Sequence, residues 1–218
     1  MLSESFSVEL VSWREAVRLS RALAEMVRGR LLPDLVVAIG RGGFVPARIL
    51  CDSLMITTLT SIRVEHWGQA AQCQEKALVR YPLSTDIRDL DVLVVDDVTD
   101  TGETLETACQ YLESLSPRHI RTGVLHHKTC SKFTPDYYPL TVSEWRWIVY
   151  PWALHEDLTG FVERVMGPKP VTVADIRSLL QEKFSMAPSS WDVTMALEEL
   201  VRQGRVTPDG ATYRKRQD

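Results

Sequence analysis

The stretch VLVVDDVTDTGETL, residues 92–105, runs four apolar residues into two adjacent acids and then into a loop of small, hydroxylated residues. An unbroken apolar run of this length is the pattern of a strand buried on both faces, which requires helices on either side of a parallel sheet. A second run, LVVAIG at 35–40, ends in Arg-Gly-Gly ahead of VPARILCDSL, where Pro46 marks a helix start. Two buried strands, each delivering a glycine-bearing loop to a helix, constrain the chain to an α/β fold whose loops sit at the carboxyl ends of strands. Ligands bind there in such sheets.

The remaining pattern fits that frame. SWREAVRLSRALAEMVRG places Ser12 and Glu15 at capping-box spacing and stops at Gly29, which predicts a first helix. Further strands are predicted over 56–64, 77–81, 91–96, 119–125 and 145–149, with a helix over 103–115, giving a mostly parallel sheet flanked by helices. MGPKP at 166–170 follows the helical DLTGFVERV and predicts a boundary, with one domain over 1–166 and a second over 167–218. In the second, Thr172 with Asp175 starts a helix through Leu180, Ser189 or Ser190 starts another through Gln203, and RVTPDGATYRK carries a turn between two short strands. Helix, helix and β-wing resembles a small winged-helix-like α+β module.

Composition removes several classes of function. With 25 Lys and Arg against 29 Asp and Glu, the net charge of −4 argues against coating nucleic acid or an anionic membrane. No apolar run approaches the roughly 20 residues of a membrane span, and MLSESFSVEL lacks the pattern of a secretion signal, so a cytoplasmic protein is expected. Cys51, Cys73, Cys109 and Cys130 are far apart, without CxxC spacing, and are expected to be reduced thiols. Neighbouring residues of a strand face opposite ways, so His126 and His127 are not expected to grip one metal ion together.

The loop after Val95 carries chemistry. Backbone N–H groups of a Thr-Gly turn at a helix N-terminus attract phosphate, and the hydroxyls of Thr101 and Thr104, flanking Gly102 and Glu103, can donate to it. Asp96 and Asp97 would repel that phosphate if they faced it, so they are better suited to accept from ligand hydroxyls or to hold a divalent cation. A phosphate at one end and a diol at the other describe a ribose 5-phosphate. The plainer reading of the same residues is a capped helix after a core strand. A Walker A loop is excluded, since GxxxxGK[ST] does not occur.

Four apolar residues, two acids and D-T-G-x-T resemble the 5-phosphoribosyl 1-diphosphate (PRPP) motif of the type I phosphoribosyltransferases. AIGRGGFVP at 38–46 is similar to the pyrophosphate loop of that family's xanthine-guanine branch. The resemblance implies that Arg41, Gly42 and Gly43 bind pyrophosphate, that the Gly40–Arg41 peptide is cis, and that Asp96 and Asp97 hold the ribose hydroxyls with Mg²⁺. It further implies that Asp100 serves purine N7 as N9 attacks, that Lys128 in VLHHKTC donates to O6, and that Trp147 in WRWIVYPW stacks on the base. Ile148 would present its backbone to the base's two-position edge. Trp145 and Trp152 are assigned to packing, and Val149 and Ala153 are apolar where the xanthine-guanine branch tends to be polar or acidic. The segment 65–80 is a candidate closing loop, with Lys76 or Arg80 reaching pyrophosphate, although Gln72 and Cys73 stand where an arginine is expected. A solvated hairpin is the other reading of that segment.

The expected function is transfer of phosphoribose from PRPP to N9 of a 6-oxopurine, with release of pyrophosphate, in a homo-oligomer such as a dimer or tetramer. The alternative is a regulator that senses PRPP or a nucleotide and uses the C-terminal module on DNA. From 165 onward eight Lys and Arg face seven Asp and Glu, with Arg202, Arg205, Arg214, Lys215 and Arg216 gathered late. Glu198 and Glu199 on the would-be recognition helix oppose DNA, which favours a packing or oligomerisation role. Within the enzyme reading a pyrimidine substrate is the rival, disfavoured because a six-membered ring has no N7 for Asp100.

Overall fold

The two apolar runs become neighbouring parallel strands at the middle of a five-stranded sheet. The computed structural model describes residues 5–30, 32–66 and 77–216. In chain order the elements are β1 (Val8–Leu10), α1 (Trp13–Arg28), β2 (Leu35–Gly40), α2 (Phe44–Leu54), β3 (Leu59–His66) and β4 (Ala77–Tyr81). They continue with β5 (Asp91–Val95), β6 (Val98–Thr99), α3 (Glu103–Glu113), β7 (His119–Gly123), β8 (His126–Lys128), β9 (Leu140–Val142) and β10 (Trp147–Val149). The last are α4 (Leu154–Val165), α5 (Val173–Phe184), α6 (Ser190–Arg202), β11 (Val206–Asp209) and β12 (Thr212–Lys215).

Two compact units result, Arg14–Trp145 and a second made of Met1–Trp13 with Arg146–Asp218. In the first, the sheet order is β4-β3-β2-β5-β7, parallel except for β4 at the edge. Leu35, Val37 and Ile39 join Val92 and Val94 in one cluster with Leu105, Ala108 and Leu112 of α3. The alternate residues Val36, Ala38, Leu93 and Val95 are equally buried, as expected of strands covered on both faces. A small parallel sheet, β6-β8-β9, continues from the loop after β5. The predicted strands and the helix at 103–115 are present with ends moved by a few residues, β3 starting later and running to His66, while β1, β6, β8 and β9, each two or three residues long, carry too little pattern to be read beforehand.

The second unit divides the chain elsewhere than at the expected 166/167 boundary. Helix α4, assigned by sequence to the first domain, puts Leu158, Phe161, Val162 and Val165 into one core with Ile176, Leu180 and Phe184 of α5 and Val193, Leu197 and Leu200 of α6. The reason is apolar periodicity: no stripe on α4 remains for solvent once both later helices pack on it. Capping boxes start α5 at Thr172 with Asp175 and α6 at Ser189 with Asp192, resolving the choice between Ser189 and Ser190. Strands β11 and β12 form an antiparallel hairpin around Gly210, whose φ of 59° suits the tight turn. Val171 bridges Tyr213 of β12, so a third extended segment joins the wing.

Among the described residues no helix is long and apolar enough to cross a membrane. Burial pushes the thiols of Cys51 and Cys109 up, to about 11 and about 12, which makes both poor nucleophiles. Cys73 lies outside the described residues. Phe184 is fully buried among α4, α5 and α6. Phe184→Ala is expected to destabilise the protein by about 3–5 kcal/mol, read as a lower midpoint in urea unfolding.

Candidate active site

The cavity that matters most opens at the carboxyl end of β5. It is about 400 Å³ and is lined by every residue from Asp96 to Leu105. The Asp96 N–H donates to Gly123 C=O at 3.1 Å, which ties the end of the strand to β7. Asp97 C=O accepts from the N–H groups of Leu125 and His126 at 3.0 and 3.1 Å, fixing the loop's first residues on the β8 side. Gly102 sits at φ +92° at the start of α3, and a Cβ there would lie 2.6 Å from Phe133 Cβ. Only glycine fits both that angle and that packing. Lys132 N–H donates to Thr101 C=O at 3.1 Å, so residues 131–133 brace the loop from outside. Thr101 and Glu103 are exposed, Thr104 half-buried.

The glycine loop after β2 meets this one. A Cβ on Gly43 would lie 2.2 Å from Val95 C=O, and one on Gly42 would lie 2.5 Å from Asp97 Oδ2. The Asp97 carboxylate therefore lies against the backbone of the expected pyrophosphate loop. Arg41 is exposed there, and the Gly40–Arg41 peptide is cis, as the resemblance implies. Asp96 is buried, and its Oδ1 accepts the Asp97 N–H at 2.9 Å. Burial first, and the neighbouring Asp97 charge second, hold its carboxyl well above the usual carboxylate range.

Among the described residues no group of three or more His, Cys, Asp or Glu gathers as a metal cage. Mg²⁺ commonly binds through one or two carboxylates plus substrate phosphates, so the adjacent carboxylates of Asp96 and Asp97, with the Gly42–Gly43 backbone beside Asp97, fit it.

Lys128 and Asp100 come together, with Nζ and Oδ1 3.1 Å apart. Lys128 is nearly buried, its side chain 4% exposed. The aromatic ring beside them is Trp145, which had been assigned to packing. Lys128 Nζ lies 4.9 Å from its ring centroid, and Trp145 Nε1 donates to Asp100 Oδ1 at 3.3 Å. The sequence signal was weak, because alternating tryptophans in WRW offer two equal candidates and no period separates them.

Trp147 and Ile148 belong to the other unit. There Trp147 packs on the core of α4, α5 and α6 and lines a cavity of about 260 Å³ with Phe6, Gly160 and Phe161. Its Nε1 is buried without a hydrogen-bond partner among the described residues. In β10, Trp147 N–H donates to Ser7 C=O at 3.0 Å and Val149 C=O accepts from Val11 N–H at 2.9 Å. Backbone groups alternate sides along a parallel ladder, so the N–H and C=O of Ile148 face away from β1. That edge pairs with no strand among the described residues. Trp152 stacks on Tyr150 with centroids 4.8 Å apart, in keeping with packing. His127 lies against the Tyr138 ring at 4.7 Å, and burial lowers its pKa.

Residues 9–157 match the family model described as the phosphoribosyl transferase domain. The chain belongs to that family. A xanthine-guanine phosphoribosyltransferase of Cereibacter sphaeroides is 36% identical over 149 residues, covering 65% of this chain and 84% of the relative. Its namesake in Ruegeria is 35% identical over 153 residues, covering 65% and 83%. Among solved structures, a purine phosphoribosyltransferase from Pyrococcus horikoshii superposes with a TM-score of 0.61 at 33% identity, covering 66% of this chain and 93% of that one. The fold is thus the phosphoribosyltransferase fold, and the family match stops at residue 157.

The raised carboxyl of Asp96 has a measurable consequence in this phosphoribosyltransferase. A folded-state pKa above the unfolded value, about 3.9, means that its contribution to stability is fully present below the unfolded pKa and is lost as pH rises through the folded one. Asp96→Asn keeps the acceptor for Asp97 N–H but carries no charge. The ligand-free variant is expected to melt higher than wild type at neutral pH and to lose part of the wild-type decline from acidic to neutral pH, followed by thermal unfolding.

Proposed function

We propose that the chain transfers 5-phosphoribose from PRPP to N9 of a 6-oxopurine and releases pyrophosphate. The observation that carries this reading is the placement of Asp100 against a buried Lys128, at the end of the loop that begins with Asp96 and Asp97. One carboxylate and one ammonium, side by side, match the imidazole N–H and the O6 of such a base. The named activities of the relatives support the same substrate class.

Thr101, Gly102, Glu103 and Thr104 would cradle the 5′-phosphate through the amides at the start of α3. Asp96 and Asp97 would hold the 2′- and 3′-hydroxyls and, between them, the Mg²⁺ that travels with PRPP. That ion supplies charge neutralisation for the departing pyrophosphate. Arg41 with the amides of Gly42 and Gly43 would bind pyrophosphate oxygens. The C1′–O bond breaks as N9 forms its bond to C1′, and the carboxylates lie where they favour the cationic ribose. Asp100 would take the N7 proton, while Lys128 donates to O6 as charge shifts onto the ring. For the two-position edge of the base and for stacking, the resemblance alone names the Ile148 backbone and Trp147, both of which belong to the other unit. Lys76 lies outside the described residues, and Arg80 stands in β4.

The C-terminal helices and hairpin form a winged-helix-like module for which packing or oligomerisation is the favoured role. Its basic residues are already engaged: Arg202 with Glu199 at 2.7 Å, Arg205 with Glu163 at 2.7 Å, and Arg214 with Asp209 at 3.9 Å. Lys215 also donates to Glu163 C=O at 3.1 Å, so the basic cluster that the disfavoured regulator reading would turn to DNA phosphates already has partners in the protein itself. No observation favours the regulator reading. A homo-oligomer is the assembly we propose, and PRPP, made and consumed inside cells, supports a cytoplasmic location.

Pyrophosphate release measured with PRPP, Mg²⁺ and xanthine, guanine or hypoxanthine in turn tests the reaction, and silence with all three would overturn it. Asp100→Asn is expected to lower turnover about 10²-fold or more while PRPP affinity stays within about threefold. Arg41→Ala is expected to weaken PRPP and pyrophosphate binding about tenfold or more, read by calorimetric titration.

A further inference from the structure

A buried ammonium needs partners, and the ligand-free protein supplies Lys128 with two. Asp100 Oδ1 is 3.1 Å away, and the face of Trp145 lies 4.9 Å off. The same indole donates its N–H to the same Asp100 oxygen at 3.3 Å. One flat bicyclic ring with a five-membered-ring N–H therefore engages both groups that the proposed reaction assigns to the base. A 6-oxopurine is also a flat bicycle with a five-membered-ring N–H. Trp145 lies outside any helix or strand, between β9 and β10, and is 38% exposed, so part of its ring already meets solvent.

We propose that Trp145 is an internal surrogate for the purine: in the ligand-free enzyme its indole occupies Lys128 and Asp100, and the incoming base takes over both partners and turns the indole out. The proposal rests on the reading of Asp100 and Lys128 as the base-recognising pair. It adds a specificity-determining residue to that site. While the indole is in place, Lys128 keeps its charge in a nearly buried position and Asp100 keeps a donor, so the pair is held at its working separation before substrate arrives. Binding becomes an exchange of one ring for another. A ligand that cannot both accept from Lys128 and donate to Asp100 loses that exchange, which selects against bare aromatic rings. The cost is affinity: the apparent KM for base exceeds the value its own contacts would give, because only the fraction of enzyme with the indole displaced accepts it.

The test compares wild type with Trp145→Phe, which keeps a ring face for Lys128 but has no N–H, and with Trp145→Ala, which has neither. KM for guanine is measured at saturating PRPP, and KM for PRPP at saturating guanine. The expected result is a guanine KM lower by about threefold in Trp145→Phe and about tenfold in Trp145→Ala, with the PRPP KM within about twofold. In parallel, GMP titrated into wild type should change tryptophan emission by a component that Trp145→Phe lacks. This measurement, with the Phe variant, carries the test if the Ala variant does not fold. An unchanged guanine KM in active variants overturns the proposal, as does an identical emission response in wild type and Trp145→Phe. A raised guanine KM also overturns it and identifies Trp145 as a ring that stacks on the bound base. Wild type that releases no pyrophosphate with any purine is a different failure: it removes the reaction itself, and the surrogate role with it.

Discussion

The close approach of two strand ends underlies the whole site. Gly43 passes so near Val95 C=O that a Cβ would lie 2.2 Å from it, and Gly42 passes as near the Asp97 carboxylate. Because β2 and β5 pair in parallel through Ala38 and Val95, both loops leave the sheet on the same side and at the same level. The glycine loop after β2 and the acidic loop after β5 are thereby placed against each other. Such an arrangement needs glycine at both positions, since any larger residue would wedge the strands or displace the carboxylate.

That geometry also sets the electrostatics. Two acids at one strand end, one of them buried, form a poor site for an anion and a good site for hydroxyls with a cation. In the proposed reaction the anions would be bound to either side, by the amides after Arg41 and by those at the start of α3. Charge conflict along the loop is therefore separated by position: acids where the sugar would lie, amides where phosphates would lie. Asp100 stands apart from both because Lys128 holds it, and the ion pair is shielded on one side by the Trp145 ring.

Much of this was legible in the residues alone. The buried runs 35–40 and 91–96, the helix after Gly102 and the helix starts near Thr172 and Ser189 follow from local patterns that tertiary contacts had no reason to override. Where reading fell short, the missing information was long-range. Helix α4 looks like the end of the first domain because its apolar stripe does not say which helices will cover it, and it shares a core with α5 and α6. Strands of two or three residues, such as β6 and β8, have no period to detect, although β8 carries Lys128.

The tryptophans mark the division most clearly. Sequence by itself determined the order of chemical groups along the chain: phosphate loop, paired acids, third acid, lysine, then an aromatic segment. Order follows from covalent connection and survives folding unchanged. Only the tertiary structure decided that Trp145 is the ring on Lys128 and Asp100, while Trp147 packs on the core of α4, α5 and α6, because a ring's neighbours depend on where its segment leaves the strand. Two residues of spacing in WRW suggest one shared strand face, but Trp145 precedes β10 and takes other neighbours.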